Sequence, residues 1–63
     1  MSNRARFTRD GYRFVVTENT CRVYERYDKG NTSTEYAVSP QKRTAMVRKY
    51  NEDIEAVRNT LNG

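Results

Sequence analysis

The stretch SPQKRTAMVRKYNEDIEAVRNTL, Ser39 to Leu61, decides the fold. It opens on Ser39-Pro40, a capping serine followed by a proline at the first helical position. Apolar residues recur at Met46, Tyr50, Ile54, Val57 and Leu61, in steps of three and four, which draws one face of a helix. Val47 and Ala56 widen that face. Gly63 stands just past the end, where helix stops are common. No other segment is long enough to organise a core, so the rest of the chain is expected to pack on this face.

Upstream, turn signals cut the chain into short strands. Tyr12 to Thr17 is rich in β-branched and aromatic residues and predicts a strand. Glu18-Asn19 makes a short turn, and Cys21 to Tyr27 predicts a second strand. Asp28-Lys29-Gly30-Asn31 is a loop signal, and Thr32 to Val38 predicts a third strand, weakened by Ser33, Glu35 and Ala37. The expected fold is therefore α+β: a three-stranded antiparallel β-meander on one long C-terminal helix, in the order β-β-β-α. Met1 to Asp10 is polar and without period. It reads as a flexible basic arm (residues 1–10), with Asp10-Gly11 separating it from a single small domain (residues 11–63).

The strand register follows from the turns. A two-residue first loop and a four-residue second loop set Phe14 against Val23 and Val23 against Tyr36. They also set Val16 against Cys21 and Cys21 against Val38. This face is apolar throughout and suits the helix. The opposite face then carries Arg13, Val15, Thr17, Arg22, Tyr24, Arg26, Ser33, Glu35 and Ala37. A slip of one residue in either hairpin would mix the two faces.

Composition bounds the function. The chain has 63 residues, enough for one domain and too few to enclose an active site beneath a full core. It has 12 Lys+Arg against 8 Asp+Glu, a formal charge of +4. Nine of the cations are arginine, whose planar fork grips phosphate or carboxylate. There is no histidine, which removes the commonest general base and metal ligand. Cys21 is a lone cysteine on the expected inner face, so it forms neither an internal disulfide nor a zinc site. No glycine-rich phosphate loop and no calcium loop occur. No enzyme, no cofactor and no metal are expected. No apolar run is long enough to span a bilayer, and Met1 to Arg13 lacks the apolar core of a signal peptide, so a cytoplasmic location is expected. A membrane-surface role is set aside, because the helix's apolar face is needed to cover the sheet.

The expected partner is nucleic acid, with DNA favoured, or an acidic protein surface. Arg13, Arg22 and Arg26 surround Tyr24 on the outer sheet face, where guanidinium groups meet phosphates or guanine edges and the ring stacks. Arg4, Arg6 and Arg9 in the arm add contacts to a backbone or a minor groove. Lys42 and Arg43 flank the amides of the first helical turn, a possible anion site. The charges along the helix run against its dipole, with Lys42, Arg43, Arg48 and Lys49 early and Glu52, Asp53 and Glu55 late. Pairs at i,i+4, Arg48 with Glu52 and Lys49 with Asp53, are expected to offset this.

In element order and cationic outer face, the chain resembles the small three-stranded-sheet-plus-helix domains at the N-termini of tyrosine recombinases. That resemblance implies DNA binding through the sheet; it rests on no shared motif. The alternative is a small protein-binding module, such as a phage- or plasmid-type inhibitor of a host protein, with Tyr24, Tyr27, Val15 and the arginines clamping an acidic patch. A homodimer is compatible with either.

Overall fold

The computed structural model describes residues 3–62; Met1, Ser2 and Gly63 lie outside them. Four strands precede two helices: β1 (Arg4–Arg9), β2 (Tyr12–Thr17), β3 (Cys21–Lys29), β4 (Thr32–Ala37), α1 (Pro40–Lys49) and α2 (Asn51–Asn62). The strands form one antiparallel sheet in the order β1-β2-β3-β4. α1 lies over β3, and α2 over β2 and β1.

This corrects the expectation of three strands and one long helix. The supposed arm supplies β1, with Phe7 against Phe14 and Arg9 against Tyr12. Asp10 and Gly11 both have positive φ, 53° and 82°. They form the tight two-residue turn that matches the twist of paired strands. Asp10-Gly11 therefore joins two strands instead of ending an arm. Ala5 and Phe7 alternate with Arg4, Arg6 and Thr8, a period-two pattern that one aromatic makes easy to overlook.

The helix divides at Tyr50, whose φ of -108° and ψ of 27° leave the helical range. The backbone ladder still bridges the break: the Tyr50 N–H donates to Met46 O at 3.0 Å and the Ile54 N–H to Tyr50 O at 3.0 Å. Division also resolves the charge order at the junction, though Lys42 and Arg43 still stand near the start of α1. α1 now ends on Arg48 and Lys49, and α2 begins with Glu52 and Asp53 in its first turn. Each helix thus matches its own dipole at these ends. The expected i,i+4 pairs are replaced by others. Asp53 meets Arg9 at 3.5 Å, and Glu55 meets Arg58 at 2.7 Å.

The β2–β3 register is as the turn implies, with Phe14 against Val23 and Val16 against Cys21. β4 is displaced by two residues from the expected register. Gly30 adopts φ 62°, the turn shortens to Gly30-Asn31, and Tyr36 faces Glu25 instead of Val23. Val38 takes the place beside Val23, its N–H donating to Val23 O at 3.2 Å. A shift of two preserves the two faces.

The core is Phe14, Val16, Cys21, Val23, Met46 and Ile54, with Phe7, Tyr12, Val38, Val47, Tyr50 and Val57 packed around it. Phe7 stacks on Phe14 with centroids 4.7 Å apart, and Tyr50 meets Phe14 edge-on at 5.4 Å. Ala56, placed on the apolar face by its spacing, is exposed. Arg58 ties α2 to the β2–β3 turn, its Nε donating to Thr17 O at 3.0 Å and its Nη2 to Thr20 O at 3.3 Å. Burial pushes the Cys21 thiol above its ordinary pKa, against the pull of the Arg58 and Arg43 charges. That describes an inert, packed cysteine.

Candidate nucleic-acid interface

The outer sheet face is built by strand alternation. On β1, Arg4 and Arg6 point to the side away from the helices, as Arg13 and Val15 do on β2, and Arg22 and Tyr24 on β3. Cross-strand pairing fixes their rows. Arg6, Val15 and Arg22 form one row, and Thr8, Arg13 and Tyr24 the next. Arg4, Arg6, Arg13, Val15, Thr17, Thr20, Arg22, Tyr24 and Glu35 line an open depression of about 570 Å³. Its floor is Val15, its walls are guanidinium stems, and Tyr24 stands half-buried at one side.

Four arginines and one glutamate therefore share this depression. Arg13 Nε lies 3.4 Å from Glu35 Oε2. Among the described residues, Arg4, Arg6 and Arg22 have no carboxylate within ion-pair distance. Side chains two apart on a strand lie roughly 7 Å apart, and rows on alternate strands roughly 9.5 Å apart. The charges are thus spread as an array and do not converge on one point. An array suits an extended polyanion; a small anion needs convergent donors.

The chain matches no protein-family model, no curated protein and no solved structure. Its site is therefore read from geometry alone.

Of the residues expected to bind, the structure gathers Arg4, Arg6, Arg13, Arg22 and Tyr24. Arg4 and Arg6 stand on a strand, not on an arm. The remaining four are dispersed. Arg9 faces the helices and pairs with Asp53. Arg26 shares the outer face but lies toward the β3–β4 turn, where its Nε meets Asp28 Oδ1 at 3.3 Å and its Nη2 donates to Ser33. The Ser33 hydroxyl first, then the Arg26 charge, hold Asp28 below the usual carboxylate range. Lys42 sits on the helix side, 5.0 Å over the Tyr12 ring and 3.8 Å from Glu25. Tyr12, then Glu25, favour its charged form and raise its pKa. The amide of Lys42 donates to the Ser39 Oγ cap at 3.2 Å, so it is not open to an external anion. Arg43 lines a different open depression with Thr44, Val47, Arg48 and Asn51 at the junction of the helices.

Thr20 escaped the sequence reading; it completes the rim of the arginine depression, whose floor is Val15, expected on this face. Tyr27 and Tyr36 form an exposed stack beyond the helices, with centroids 5.3 Å apart. The expected register, displaced by two residues, holds these rings apart; the two-residue turn at Gly30-Asn31 brings them together.

Among the described residues, no three His, Cys, Asp or Glu side chains gather as metal ligands, and no helix is long and apolar enough to cross a membrane.

Proposed function

We propose that the protein is a small, non-enzymatic, cytoplasmic nucleic-acid-binding protein, with DNA the favoured ligand, that binds through the outer sheet face. One observation carries this reading: Arg4, Arg6 and Arg22 are held on paired strands of one sheet face with no carboxylate partner among the described residues. Like charges on one face repel, and a fold gains nothing from assembling them. Their arrangement is consistent with an external polyanion that neutralises them. Tyr24 adds a ring edge beside the charges for a base or sugar.

Fluorescence anisotropy with labelled duplex DNA, single-stranded DNA and RNA at two salt concentrations tests the reading. Binding is expected to weaken steeply with salt. Arg6→Ala and Arg22→Ala should each lower the slope of log affinity against log salt by about 0.9 on duplex DNA. Arg9→Ala and Lys42→Ala, on the opposite face, should leave the slope unchanged. Absence of binding at low salt, or equal effects from both faces, overturns it. An acidic protein surface offers the same charge chemistry, and binding to an acidic polypeptide but not to any nucleic acid would assign the face to a protein partner.

A further inference from the structure

The two edges of the sheet differ in a way the arginine face does not explain. Alternate residues of an edge strand turn their backbone groups inward to the sheet or outward to solvent. The turn at Asp10-Gly11 and the pairing of Arg9 with Tyr12 make Arg4, Arg6 and Thr8 the outward residues of β1. The bond from Val38 N to Val23 O and the pairing of Lys29 with Thr32 make Ser33, Glu35 and Ala37 the outward residues of β4. On β1, two of the three outward positions carry arginine, so a second strand of the same kind meets like charge. That is a common way to blunt an edge. β4 has no lysine, arginine or proline. All six of its residues are exposed, and its single charge, Glu35, is turned to the outer face and paired with Arg13. Beside this edge, Tyr27 and Tyr36 remain 49% and 45% exposed, the large apolar groups left uncovered by the helices.

We infer that β4 is a self-association edge, and that two copies of this chain join their β4 strands antiparallel about Tyr36. Parity selects the alignments. Outward residues must meet outward residues, so the symmetric pairings are centred on Ser33, Thr34, Glu35, Tyr36 or Ala37. Centring on Glu35 opposes two carboxylates and is disfavoured. Centring on Tyr36 sets Glu35 against Ala37 of the second copy, which exchange the ladder bonds. The two Tyr36 side chains then meet as a non-hydrogen-bonded pair, the arrangement with the closest side chains. Each Tyr36 already stacks on its own Tyr27, so the seam becomes a row of four rings on the helix side.

The symmetry has a functional consequence, which rests on the nucleic-acid reading above. The two-fold axis of an antiparallel pair stands perpendicular to the sheet. It therefore keeps faces together: both arginine depressions lie on one side of a continuous eight-stranded sheet, and all four helices on the other. A single polyanion then meets two sites at once, with the gain in affinity that a second linked contact gives.

Sedimentation equilibrium without nucleic acid tests the edge independently of the binding face. A dimer is expected. Ala37→Pro removes an outward N–H that has no partner among the described residues, and proline is tolerated on edges. It deletes two of the four seam hydrogen bonds and should raise the dissociation constant by roughly thirtyfold at about 1 kcal/mol per bond, with an unchanged circular dichroism spectrum. Mild oxidation of Tyr36→Cys should give a covalent dimer, because Cys21 is buried and the paired positions face each other. A monomer at roughly 1 mM overturns the proposal. So does a dimer that Ala37→Pro leaves intact, a cross-link through Thr34→Cys in place of Tyr36→Cys, or open-ended growth beyond the dimer, which would mean that β4 meets β1 instead. If the dimer forms but no nucleic acid binds, the edge stands and the function falls; the reverse outcome separates them equally well.

Discussion

Phe14 and Val15 are neighbours on one strand, yet they belong to different regions of the molecule. Phe14 has no exposed surface; it packs between Phe7, Val23, Tyr50 and Ile54 on the helix side. Val15 is the floor of an open depression ringed by arginines. The same backbone presents both, because successive side chains of a strand face opposite ways. The helix side holds almost all the packing that stabilises the chain. The outer side contributes little to it and is therefore free to carry charges that no structural need explains. Such a division predicts that stability and binding respond to different residues.

The largest effect should come from the helix side. Phe14→Ala removes a ring that two other aromatic rings contact. Truncations of this kind cost about 3 to 5 kcal/mol, comparable with the whole stability of a domain this small. Thermal or urea denaturation should find the variant unfolded. Val15→Ala, one residue away, should cost less than about 1 kcal/mol. A similar loss from both would erase the distinction between the faces.

Arg58 comes next, because it is a cation used for structure. Its guanidinium spans Thr17 O, Thr20 O and Glu55. Hydrogen bonds from a charged donor contribute about 1.5 to 3 kcal/mol. Arg58→Ala should lose an amount in that range by urea denaturation, and Arg58→Lys should recover little of it, since an ammonium cannot reproduce the fork. Nucleic-acid affinity of the folded fraction should not change.

A smaller effect has the opposite sign. The Tyr50 hydroxyl is buried with no hydrogen-bond partner among the described residues. Tyr50→Phe keeps the edge contact with Phe14 and removes the unpaired group, so it should stabilise by about 1 kcal/mol. For a chain of this length that raises the melting temperature by roughly 4 to 8 °C. A fall would mean that the hydroxyl has a partner in solution.

Much of the helix side was legible in the sequence, and the reasons are specific. Phe14, Val16, Cys21 and Val23 fall on one face of β2–β3, with arginines on the other beside Val15 and Tyr24, and the short turn at Glu18-Asn19 leaves one sensible register. Ser39-Pro40 carries its own start signal, and the Ser39 side chain does cap the helix. Two elements were misjudged for physical reasons. β1 has a single aromatic, so its alternation is carried by Ala5 and Phe7 alone, and charge obscures the pattern. The helix break at Tyr50 leaves the apolar spacing intact, because Tyr50 stays bonded to both helices, its N–H donating to Met46 O and its O accepting from the Ile54 N–H. Its trace lay in the charges: a division at Tyr50 puts Arg48 and Lys49 at a helix C-terminus and Glu52 and Asp53 at a helix N-terminus, where each suits the dipole. On the outer face, Arg13, Arg22 and Tyr24 followed from alternation. Arg9 was read as part of a flexible arm, and Lys42 and Arg43 as neighbours of the amides of the first helical turn, and neither reading reveals the face on which a residue stands.

The smallest expected effect on stability belongs to the arginines of the outer face, and it is the sharpest test of the division. Arg4, Arg6 and Arg22 make no ion pair among the described residues, so replacing any one with alanine breaks no attractive contact of that kind. It also relieves repulsion within the array. Surface substitutions of this sort shift stability by no more than about 0.5 kcal/mol. Here the sign should be neutral to favourable, and more favourable at low salt, where screening is weak. Melting temperatures of Arg4→Ala, Arg6→Ala and Arg22→Ala at two ionic strengths provide the measurement. Arg13→Ala is the internal control, because it breaks the contact with Glu35 and should not gain. If all four variants lose stability alike, the arginines serve the fold, and the outer face is one more packed surface. If the three unpaired ones hold or gain stability while Arg13 does not, their charges are a cost the fold bears without structural return.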